Sequence, residues 1–465
     1  MTRPSKAKKQ VDVHLRIRPL VKEELERQDT KMDMSIVPSD DGSTSLKLTT
    51  PKTDADDVEY VEVLGFQVPK SKPKRDKTFR RFASVHHDVT NVEFFERTVA
   101  PLVEDALAGR TACCFAYGHT GSGKTHTILG YGSELGMYRL ASTRLFEAID
   151  ELSDQHQTVD RLDQPKLQVR FNEIYNGEVY DLLNDGAKCF VREDAHGKVH
   201  IRGETRVDDE TGIVSTTFSQ SPIASTLDEL IEIVQRGIAA RATGNSDVHR
   251  ASSRSHAILE VEFVSDRILR LREAVDDLEQ EYTAIRHERD TLEMDIFTRQ
   301  HYKVEGKWVK KENAQGSTEE ECSRLLNLRK QYLLVESQKR AAQRNVDDAK
   351  QAGLSCLGGT LVFVDLAGSE HAGKESDGIQ KTDEEQQECR EINKSLSALK
   401  ACFRAQAVGQ TSTSCYRNSK LTLVLRDHLR SHASHTAMIA AISPSNFHAT
   451  KTIHTLQYAQ LVAEK

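Results

Sequence analysis

Long apolar runs are missing from this sequence of 465 residues. A membrane-spanning helix needs about 18 or more consecutive apolar residues, and no stretch of the chain approaches that length. The basic N-terminal residues 1–9 are not followed by the apolar segment of a secretory signal. The sequence therefore predicts a protein that neither spans a membrane nor carries such a signal.

Tryptophan is scarce and the cysteines are scattered. The eight cysteines lack the close paired spacing of a zinc site, and there is one tryptophan. This pattern argues against a disulfide framework or a zinc site and predicts reduced, mostly buried thiols in an intracellular protein. Acidic residues (71) slightly outnumber basic ones (64), so the net charge is −7. That balance argues against a general nucleic-acid binder but leaves local basic patches open.

Residues 11–265 and 356–465 alternate short β-rich runs with amphipathic helical stretches. Val11–Ile17 alternates apolar and polar residues and ends before Pro19, as a strand does. Further predicted strands share this β-rich character: 167–175, 256–263 and 360–364. A helix is predicted to begin after Thr226. Strands interleaved with helices predict an α/β fold, with a central mixed, mainly parallel sheet covered on both faces.

Residues 266–355 differ because apolar residues recur there at spacings of three and four. Two series show this spacing, each with one charged interruption: Ile268, Leu271, Val275, Leu278, Tyr282, Ile285, Arg289, Leu292 and Ile296; then Leu325, Leu328, Tyr332, Val335, Lys339, Ala342, Val346 and Ala349. A polar, glycine-bearing stretch, 299–318, joins them. The pattern predicts an antiparallel coiled-coil hairpin, here called the arm. The alternative is two amphipathic helices lying on the globular body.

The segment Gly118–Thr125 matches the pattern G-x-x-x-x-G-K-[ST] of a phosphate-binding loop. It follows an apolar run, 112–117, and precedes a predicted helix, which is the context that the motif requires. Glycines let backbone N–H groups surround a phosphate, Lys124 would bridge the β- and γ-phosphates, and the Thr125 hydroxyl would bind Mg²⁺. The alternative, a chance glycine-rich turn, fits the flanking strand poorly.

Two later segments could complete such a site. Asp365 ends an apolar strand, at the place where a carboxylate would hold a water molecule that is bound to Mg²⁺. Gly368 could offer its N–H to the γ-phosphate, because a glycine allows close approach. The serine-rich segment 252–256 carries hydroxyls that can bind Mg²⁺ or water, and Arg254 can pair with a carboxylate. Taken alone, each segment is an ordinary turn or loop.

These three segments, in this order, resemble the signatures of the kinesin motor domain: the P-loop at Gly118–Thr125, switch I at Ser252–His256 and switch II at Asp365–Glu370. Further matches extend over almost the whole chain outside the arm: Arg16–Pro19, Phe171–Leu183, Ile392–Leu399, Tyr416–Thr422 and Thr455–Ala459. The resemblance implies one discontinuous motor domain, 1–265 and 356–465, interrupted by the arm at 266–355.

The resemblance also implies a site for ATP and Mg²⁺. The adenine would lie beside Arg16, Pro19 and His126. The phosphates would lie on the loop residues Gly118, His119, Thr120, Gly121, Ser122, Gly123, Lys124 and Thr125. The metal ligands would be Thr125, Ser253 and, through water, Asp365.

The catalytic residues that the resemblance implies belong to the two switches. Ser252 would contact the γ-phosphate or the attacking water, and Gly368 would sense the γ-phosphate. Arg254 and Glu370 would form a salt bridge once ATP is bound, closing the switches around the water. Such chemistry consists of positioning and charge stabilisation rather than covalent catalysis by the protein.

The microtubule face implied by the resemblance is basic, as an acidic tubulin surface requires. Its candidate residues are Lys394, Lys400, Arg404, Arg417, Lys420, Arg426 and Arg430. An acidic stretch, 383–385 with Glu388, would repel tubulin. Two departures from the family pattern, His119 and His249, fall at positions that are not direct phosphate or metal ligands, so hydrolysis is expected to survive.

Three roles fit this resemblance. The first is a microtubule-dependent motor ATPase of the cytoplasmic cytoskeleton, with the spindle and axoneme among its candidate locations. The second is a microtubule depolymerase, because segments such as 114–118 and 399–404 look most like kinesin-13. The third is a low-turnover regulatory or structural protein that binds microtubules, a partner or a second copy through the arm. Nucleic-acid and membrane partners are not expected.

Overall fold

The computed structural model describes most of the chain. The described residues are 11–27, 30–39, 42–51, 60–63, 66–69, 74–155, 160–193, 197, 199–207, 214–243, 253–304, 307–312, 316–369, 382–408, 413–430 and 434–463. No described helix is long and apolar enough to cross a membrane.

The described strands are numbered in chain order. They are β1 (Val11–Ile17), β2 (Asp33–Pro38), β3 (Thr44–Pro51), β4 (Tyr60–Val63), β5 (Phe66–Pro69), β6 (Lys74–Phe82), β7 (Ser84–His87), β8 (Thr111–Tyr117), β9 (Gly130–Tyr131), β10 (Glu134–Leu135), β11 (Lys166–Tyr175), β12 (Glu178–Asp181), β13 (Ala187–Glu193), β14 (Val199–Val207), β15 (Val214–Phe218), β16 (Ile223–Ala224), β17 (His256–Val264), β18 (His301–Val304), β19 (Lys307–Lys310), β20 (Thr360–Asp365) and β21 (His435–Ile442).

The described α-helices are numbered in the same way. They are α1 (Lys22–Glu26), α2 (Asn91–Thr98), α3 (Ala100–Leu107), α4 (Lys124–Ile128), α5 (Met137–Gln155), α6 (Leu227–Thr243), α7 (Asp266–Gln300), α8 (Glu319–Ala352), α9 (Asp383–Ala407), α10 (Lys420–Val424), α11 (Arg426–Arg430) and α12 (Ala449–Ala463).

One large sheet organises the molecule. Its strand order is β15-β14-β13-β12-β11-β17-β20-β8-β21-β1-β7, and β16 pairs with β11. Pairing is parallel from β20 to β7 and antiparallel in the rest of the sheet. The prediction of a mixed sheet is confirmed, but the prediction that it is mainly parallel is wrong. The two-residue turn Asn176-Gly177 shows why, because both residues have positive φ and connect β11 to β12 as a hairpin.

Helices cover both faces of this sheet, as an α/β fold requires. Buried apolar residues of α9 to α12 form one core, which we call the first core, with Ile258 of β17. Residues of α2, α3, α5 and α6 form the second core on the opposite face, with Leu259 and Val261 of the same strand. Successive residues of a strand point to opposite faces, so β17 contributes to both cores.

The arm is an antiparallel pair of long helices, α7 and α8, inserted between the neighbouring strands β17 and β20. The two charged interruptions of its apolar seam pack on tyrosines. The Arg289 guanidinium lies 4.6 Å from the Tyr332 ring centroid, and Lys339 Nζ lies 4.9 Å from that of Tyr282. Cation–π contacts therefore accommodate both charges. The stretch that joins the helices, expected to be a polar turn, contains the two-stranded sheet β18–β19.

His435, the first residue of β21, connects three elements at one end of the large sheet. Its Nδ1 lies 2.6 Å from the Asp105 carboxylate of α3, and its Nε2 lies 3.0 Å from the Asp12 carboxylate of β1. The hydrogen bond to Asp12, assisted by Asp105, raises the pKa of His435 although partial burial opposes the shift. The folded protein therefore holds this proton more tightly than the unfolded chain.

We expect His435→Asn to destabilise the fold more at acidic pH than at alkaline pH. The contacts of protonated His435 stabilise the folded state fully when the pH is below the ordinary histidine pKa of 6.5. This stabilisation is lost as the pH rises through the raised pKa of His435 in the folded protein. Denaturant unfolding at about pH 6 and about pH 9 measures this difference. His287→Asn, at an exposed position on the arm, is the control. An equal loss at both pH values would contradict the prediction.

Candidate nucleotide site

The phosphate loop leads from the end of β8 directly into α4. Gly118 lies so close to β21 that a Cβ there would be 2.3 Å from the Ala441 carbonyl oxygen. Gly123, just before α4, has a φ of +98°, which residues with side chains rarely adopt. The loop tip, Thr120 and Gly121, is exposed. The glycines therefore permit the tight backbone that a phosphate-binding loop needs.

Lys124 and Ser122 are buried in this loop. Lys124 Nζ donates a hydrogen bond to the His119 carbonyl oxygen at 3.1 Å. Ser122 Oγ has no hydrogen-bond partner among the described residues. The loop thus offers an ammonium group and an uncommitted hydroxyl to an anionic ligand.

Asp365, at the end of β20, connects the phosphate loop to switch II. Its Oδ2 accepts hydrogen bonds from Thr125 Oγ1 at 2.9 Å and from Arg241 Nη1 at 3.0 Å. Its Oδ1 is buried and lacks a partner within the described parts of the chain. An unsatisfied buried carboxylate oxygen is costly, and beside a threonine hydroxyl it fits Mg²⁺ that keeps its waters. The residues present therefore fit the implied metal.

Arg241 is a residue of this site that the sequence pattern does not reveal. It lies in the last turn of α6, is 4% exposed, and donates to the Ser255 carbonyl oxygen at 3.0 Å as well as to Asp365. A single arginine in an amphipathic helix is usually a surface residue, so no sequence signal distinguishes it. Its guanidinium positions the Asp365 carboxylate and balances its charge.

The two switch segments contact each other and the phosphate loop through their backbones. The Gly368 N–H donates to the Ser253 carbonyl oxygen at 2.8 Å, and the Ser369 N–H donates to the Gly118 carbonyl oxygen at 3.1 Å. The Gly368 N–H that the sequence assigns to the γ-phosphate is therefore bonded to switch I in this structure. Its contact with phosphate stays a prediction, and it requires an exchange of partners.

His256 connects both switches to α9. Its Nδ1 accepts a hydrogen bond from the Ala367 N–H at 3.0 Å, so its Nε2 carries the proton and donates to Ser395 Oγ at 2.7 Å. Burial lowers the pKa of His256 to about 3, which keeps the ring neutral. A displacement of either switch would therefore be transmitted directly to α9.

Arg254 of switch I pairs with the start of α9. Its Nη1 lies 2.7 Å from Glu388 and its Nη2 lies 3.0 Å from Glu385. The hydroxyl of Tyr175 also hydrogen-bonds to Glu388. Arg254 therefore partly offsets the charge of Glu385 and Glu388 in this structure, and repulsion of tubulin by the acidic stretch stays a prediction. The predicted partner Glu370 lies outside the described residues, as do Ser252 and His249.

Of the three residues predicted to contact adenine, one is buried and the other two are accessible to solvent. The Arg16 guanidinium is buried and donates to Thr127 Oγ1 at 2.8 Å. Pro19 is exposed, and His126 is half-buried with its Nε2 3.0 Å from Glu134. Pro19 and His126 therefore remain accessible to a ligand, whereas the Arg16 guanidinium supports α4 from inside.

Arg18 lies across the phosphate loop and was not among the predicted contacts. Its Nε donates to the Gly121 carbonyl oxygen at 2.7 Å, and its guanidinium forms two hydrogen bonds with Glu24 at 2.6 and 2.7 Å. The available signal was its place in the segment Arg16–Pro19. Arg18 therefore fixes the loop relative to α1.

His119 occupies the interior of the loop rather than its ligand side. Its Nδ1 donates to the Thr120 carbonyl oxygen at 2.7 Å, and its ring lies 4.8 Å from that of His448. Burial lowers the pKa of His119 to about 3. A neutral, packed ring agrees with the expectation that this substitution leaves the direct phosphate contacts intact.

The predicted microtubule residues differ in exposure. Four are exposed: Lys394, Arg404, Arg417 and Arg430. Lys400 and Lys420 are half-buried. Arg426 is 1% exposed and pairs with Glu193 at 2.8 Å, so it cannot contact an external surface in this structure. That assignment is corrected: Arg426 supports the fold, because its charge is balanced inside the protein.

A scan against protein families matches the kinesin motor domain over residues 16–275 and 331–464. The chain belongs to the kinesin motor family. Members of this family are ATPases, and their motor domains bind nucleotide and microtubules. The internal segment that the family model leaves unmatched, 276–330, belongs to the arm.

Curated kinesins are similar over most of the chain. Kinesin-like protein KIF24 of Homo sapiens is 29% identical over 381 residues, which are 81% of this chain and 19% of that protein. Kinesin-like protein KIN-13A of Oryza sativa is 29% identical over 97% of this chain and 41% of its own length. KIN-13B of Arabidopsis thaliana is 31% identical over 97% of this chain and 47% of its own length. The chain thus spans less than half the length of these relatives.

Solved kinesin structures share the fold. The C-terminal motor and motor homology domain of Kar3Vik1 superposes with a TM-score of 0.57 at 23% identity, covering 97% of this chain and 84% of that one. The motor domain of the Kar3-like kinesin from Ashbya gossypii superposes with a TM-score of 0.56 at 21% identity, covering 97% of this chain and 99% of that one. The predicted α/β motor fold is therefore confirmed.

Proposed function

We propose that this chain is a microtubule-dependent motor ATPase that uses ATP with Mg²⁺. The observation that carries the proposal is the junction of Thr125, Asp365 and Arg241. There a hydroxyl of the phosphate loop, a switch II carboxylate with one uncommitted oxygen, and a buried arginine meet within hydrogen-bond distance. This arrangement supports binding of a metal–phosphate ligand and a response of switch II to it.

Each residue of the site has a task in this proposal. Lys124 would neutralise phosphate charge, Thr125 and Ser253 would hold Mg²⁺ directly, and Asp365 would hold it through water. When bound, Mg²⁺ neutralises charge on the phosphates. Pro19 and His126 flank the adenine. The remaining loop residues hold the phosphates with their backbone N–H groups.

The switch residues position the attacking water. Ser252 holds the water or the γ-phosphate, and Gly368 exchanges its bond to Ser253 for one to the phosphate. Arg254 leaves Glu385 and Glu388 to pair with Glu370, which closes the site. The contacts of His256 support transmission of this movement to α9 and so to the proposed track face.

The proposed track face consists of the accessible basic residues of α9, α10, α11 and the segment before them: Lys394, Lys400, Arg404, Arg417, Lys420 and Arg430. Their charge complements an acidic tubulin surface. We further propose that the motor domain comprises 1–265 and 356–465 and that the arm is a separate unit, 266–355, available to a partner or a second copy.

The proposal is tested by imaging fluorescent microtubules over surface-bound protein with ATP, scoring both gliding and filament length. Gliding at constant length supports a motor. Shortening without gliding supports a depolymerase, the second candidate, which the similarity to KIN-13 proteins along almost the whole chain favours. Microtubule binding without gliding or shortening would contradict both the motor and the depolymerase. It would leave the low-turnover regulatory or structural role.

We expect replacement of the arm, 266–355, by a short linker to leave basal ATP turnover unchanged. β17 and β20 are antiparallel neighbours, so a short turn can join them. The deletion also removes Arg272 and Lys350, two partners of the buried Glu262. Glu262→Gln should therefore accompany it, since an unpaired buried carboxylate is costly. Basal phosphate release and circular dichroism are the measurements, and an unfolded product would mean that the arm belongs to the core.

A further inference from the structure

The tip of the arm presents an apolar sheet face to solvent. In the two-stranded sheet β18–β19, Tyr302 lies opposite Val309, and Val304 lies opposite Lys307. Cross-strand partners and alternate residues share one face, so Tyr302, Val304 and Val309 are contiguous. Their exposed fractions are 47%, 44% and 40%. We call these three residues with Lys307 the tip face.

The opposite face of the same sheet packs on the end of α7. The ring of Phe297 lies 4.1 Å from that of His301 and 5.2 Å from that of Trp308. This contact supports the hairpin, which would be only marginally stable alone. The tip face is therefore held outward, and no described residue covers it.

Positive charge is concentrated in the segment that forms this sheet. Residues 299–312 include five lysines and arginines against two glutamates. Lys307 lies on the tip face, whereas Lys303 and Lys310 lie opposite Trp308 and His301 and therefore on the other face of the sheet. All three lysines are exposed, and no ion pair joins any of them to a described residue. An apolar face that carries Lys307, on a small sheet with two further exposed lysines, suits an acidic partner, because the apolar residues contribute burial and the lysines contribute charge complementarity.

The root of the arm is fixed to the motor domain. Arg272 of α7 and Lys350 of α8 both contact the buried Glu262 of β17, at 2.5 and 3.0 Å. Further along α7, Glu279 accepts from Arg202 of β14 at 2.6 Å. Beyond Glu279, the ion pairs of α7 with described residues join it to the arm itself. From there to Gln300 the shaft extends about 30 Å at ~1.5 Å per residue, so the tip is held at a distance from the motor.

The arm leaves the motor on the side of the sheet that carries the proposed track face. Glu260 and Glu262 of β17 point to the same side because they are two residues apart. Glu260 lies 3.4 Å from His428 of α11, whereas Glu262 contacts the arm. The root and α11 therefore share one face of β17, which is the face of the first core.

We propose that the tip face and the exposed lysines of the same small sheet form a second contact with the acidic surface of a microtubule, separate from the track face of the motor domain. The inference rests on the proposed microtubule function. The charge around the tip, its rigid attachment and its departure on the same side as α11 favour tubulin over an anionic membrane or a nucleic acid.

The test is co-sedimentation of the full chain with microtubules in the presence of a non-hydrolysable ATP analogue. Reversing Lys303, Lys307 and Lys310 to Glu is expected to weaken the affinity about tenfold and to reduce its dependence on salt. The matched control reverses three exposed basic residues of the arm outside the tip, Arg270, Lys330 and Arg344, and should leave the affinity within a small factor of wild type.

A second pair of variants separates the apolar contribution. Tyr302→Ser with Val309→Ser should weaken binding, whereas Leu333→Ser with Leu334→Ser, exposed on the shaft, should not. ATP turnover at saturating microtubules should stay unchanged in every variant, because the nucleotide site is untouched.

The outcomes separate failure of the tip from failure of the proposed function. If the wild-type chain does not bind microtubules, the proposed function fails. If it binds but the tip variants bind equally well, only the tip contact is overturned. Phosphatidylserine vesicles and duplex DNA are assayed in parallel. Charge reversal that removes binding to either of them, without changing microtubule affinity, would assign the tip to that ligand and overturn the proposal.

Discussion

Glu370→Ala is expected to bind ATP normally and to lose about 100-fold in microtubule-stimulated turnover. In this structure Arg254 is held by Glu385 and Glu388. Closure of the switches therefore needs a competing carboxylate that captures Arg254 when the γ-phosphate is present, and Glu370 is the candidate. Without it the arginine stays on α9, and the attacking water is not positioned.

The measurements are equilibrium binding of a fluorescent ATP analogue and steady-state phosphate release over a range of microtubule concentrations. Glu384→Ala is the matched control, because Glu384 is an exposed residue of the same acidic stretch. Wild-type turnover is expected for that control. Undiminished stimulated turnover in Glu370→Ala would rule out the proposed closure.

Arg241→Met is expected to lower the free energy of unfolding by about 3 kcal/mol, because it leaves a buried carboxylate without its cation. Asp365 would keep the Thr125 hydroxyl as its one described partner. The same change should weaken binding of Mg-ATP, since the carboxylate that we propose to hold the metal-bound water would no longer be fixed. Denaturant unfolding and nucleotide binding at varied Mg²⁺ concentration test the two effects separately.

Arg144→Met provides the comparison for this prediction. Arg144 is 40% exposed and pairs with Glu96 at 3.2 Å, and surface ion pairs of this kind contribute less than about 1 kcal/mol. Equal effects of the two substitutions on stability would show that the Arg241–Asp365 contact is not the buried pair described here.

The strands and the phosphate loop could be predicted because their signals are local. Alternation in Val11–Ile17 and the apolar runs before Gly118 and Asp365 depend on neighbouring residues alone, and the structure has strands at each place. The direction of pairing is not local. It depends on which strands become neighbours, and so the predominance of antiparallel pairs was missed.

Charged residues show the limit of sequence reasoning most clearly. Arg426 and Arg241 resemble surface residues in the sequence, yet both are buried beside carboxylates from distant parts of the chain. The acidic residues Glu385 and Glu388 were expected to repel tubulin, and no sequence signal indicated that both pair with Arg254 in the folded protein. Whether a charge faces solvent or a partner depends on tertiary contacts that no spacing rule encodes.

The arm contains one feature that the sequence predicts and one that it does not. Its two helices follow from the heptad spacing, and its seam tolerates Arg289 and Lys339 because tyrosines lie opposite them. The sheet at its tip was not predicted, because four-residue strands in a lysine-rich stretch give a weak periodic signal.

The central claim is that this phosphate loop turns over ATP in response to microtubules. The most direct test is steady-state phosphate release from Mg-ATP as microtubules are titrated, with wild type and Lys124→Ala compared at equal concentration. The account predicts a saturable rise in turnover for wild type and none for the variant. Wild-type turnover that does not change with microtubules, or stimulated turnover that survives the loss of Lys124, would contradict it.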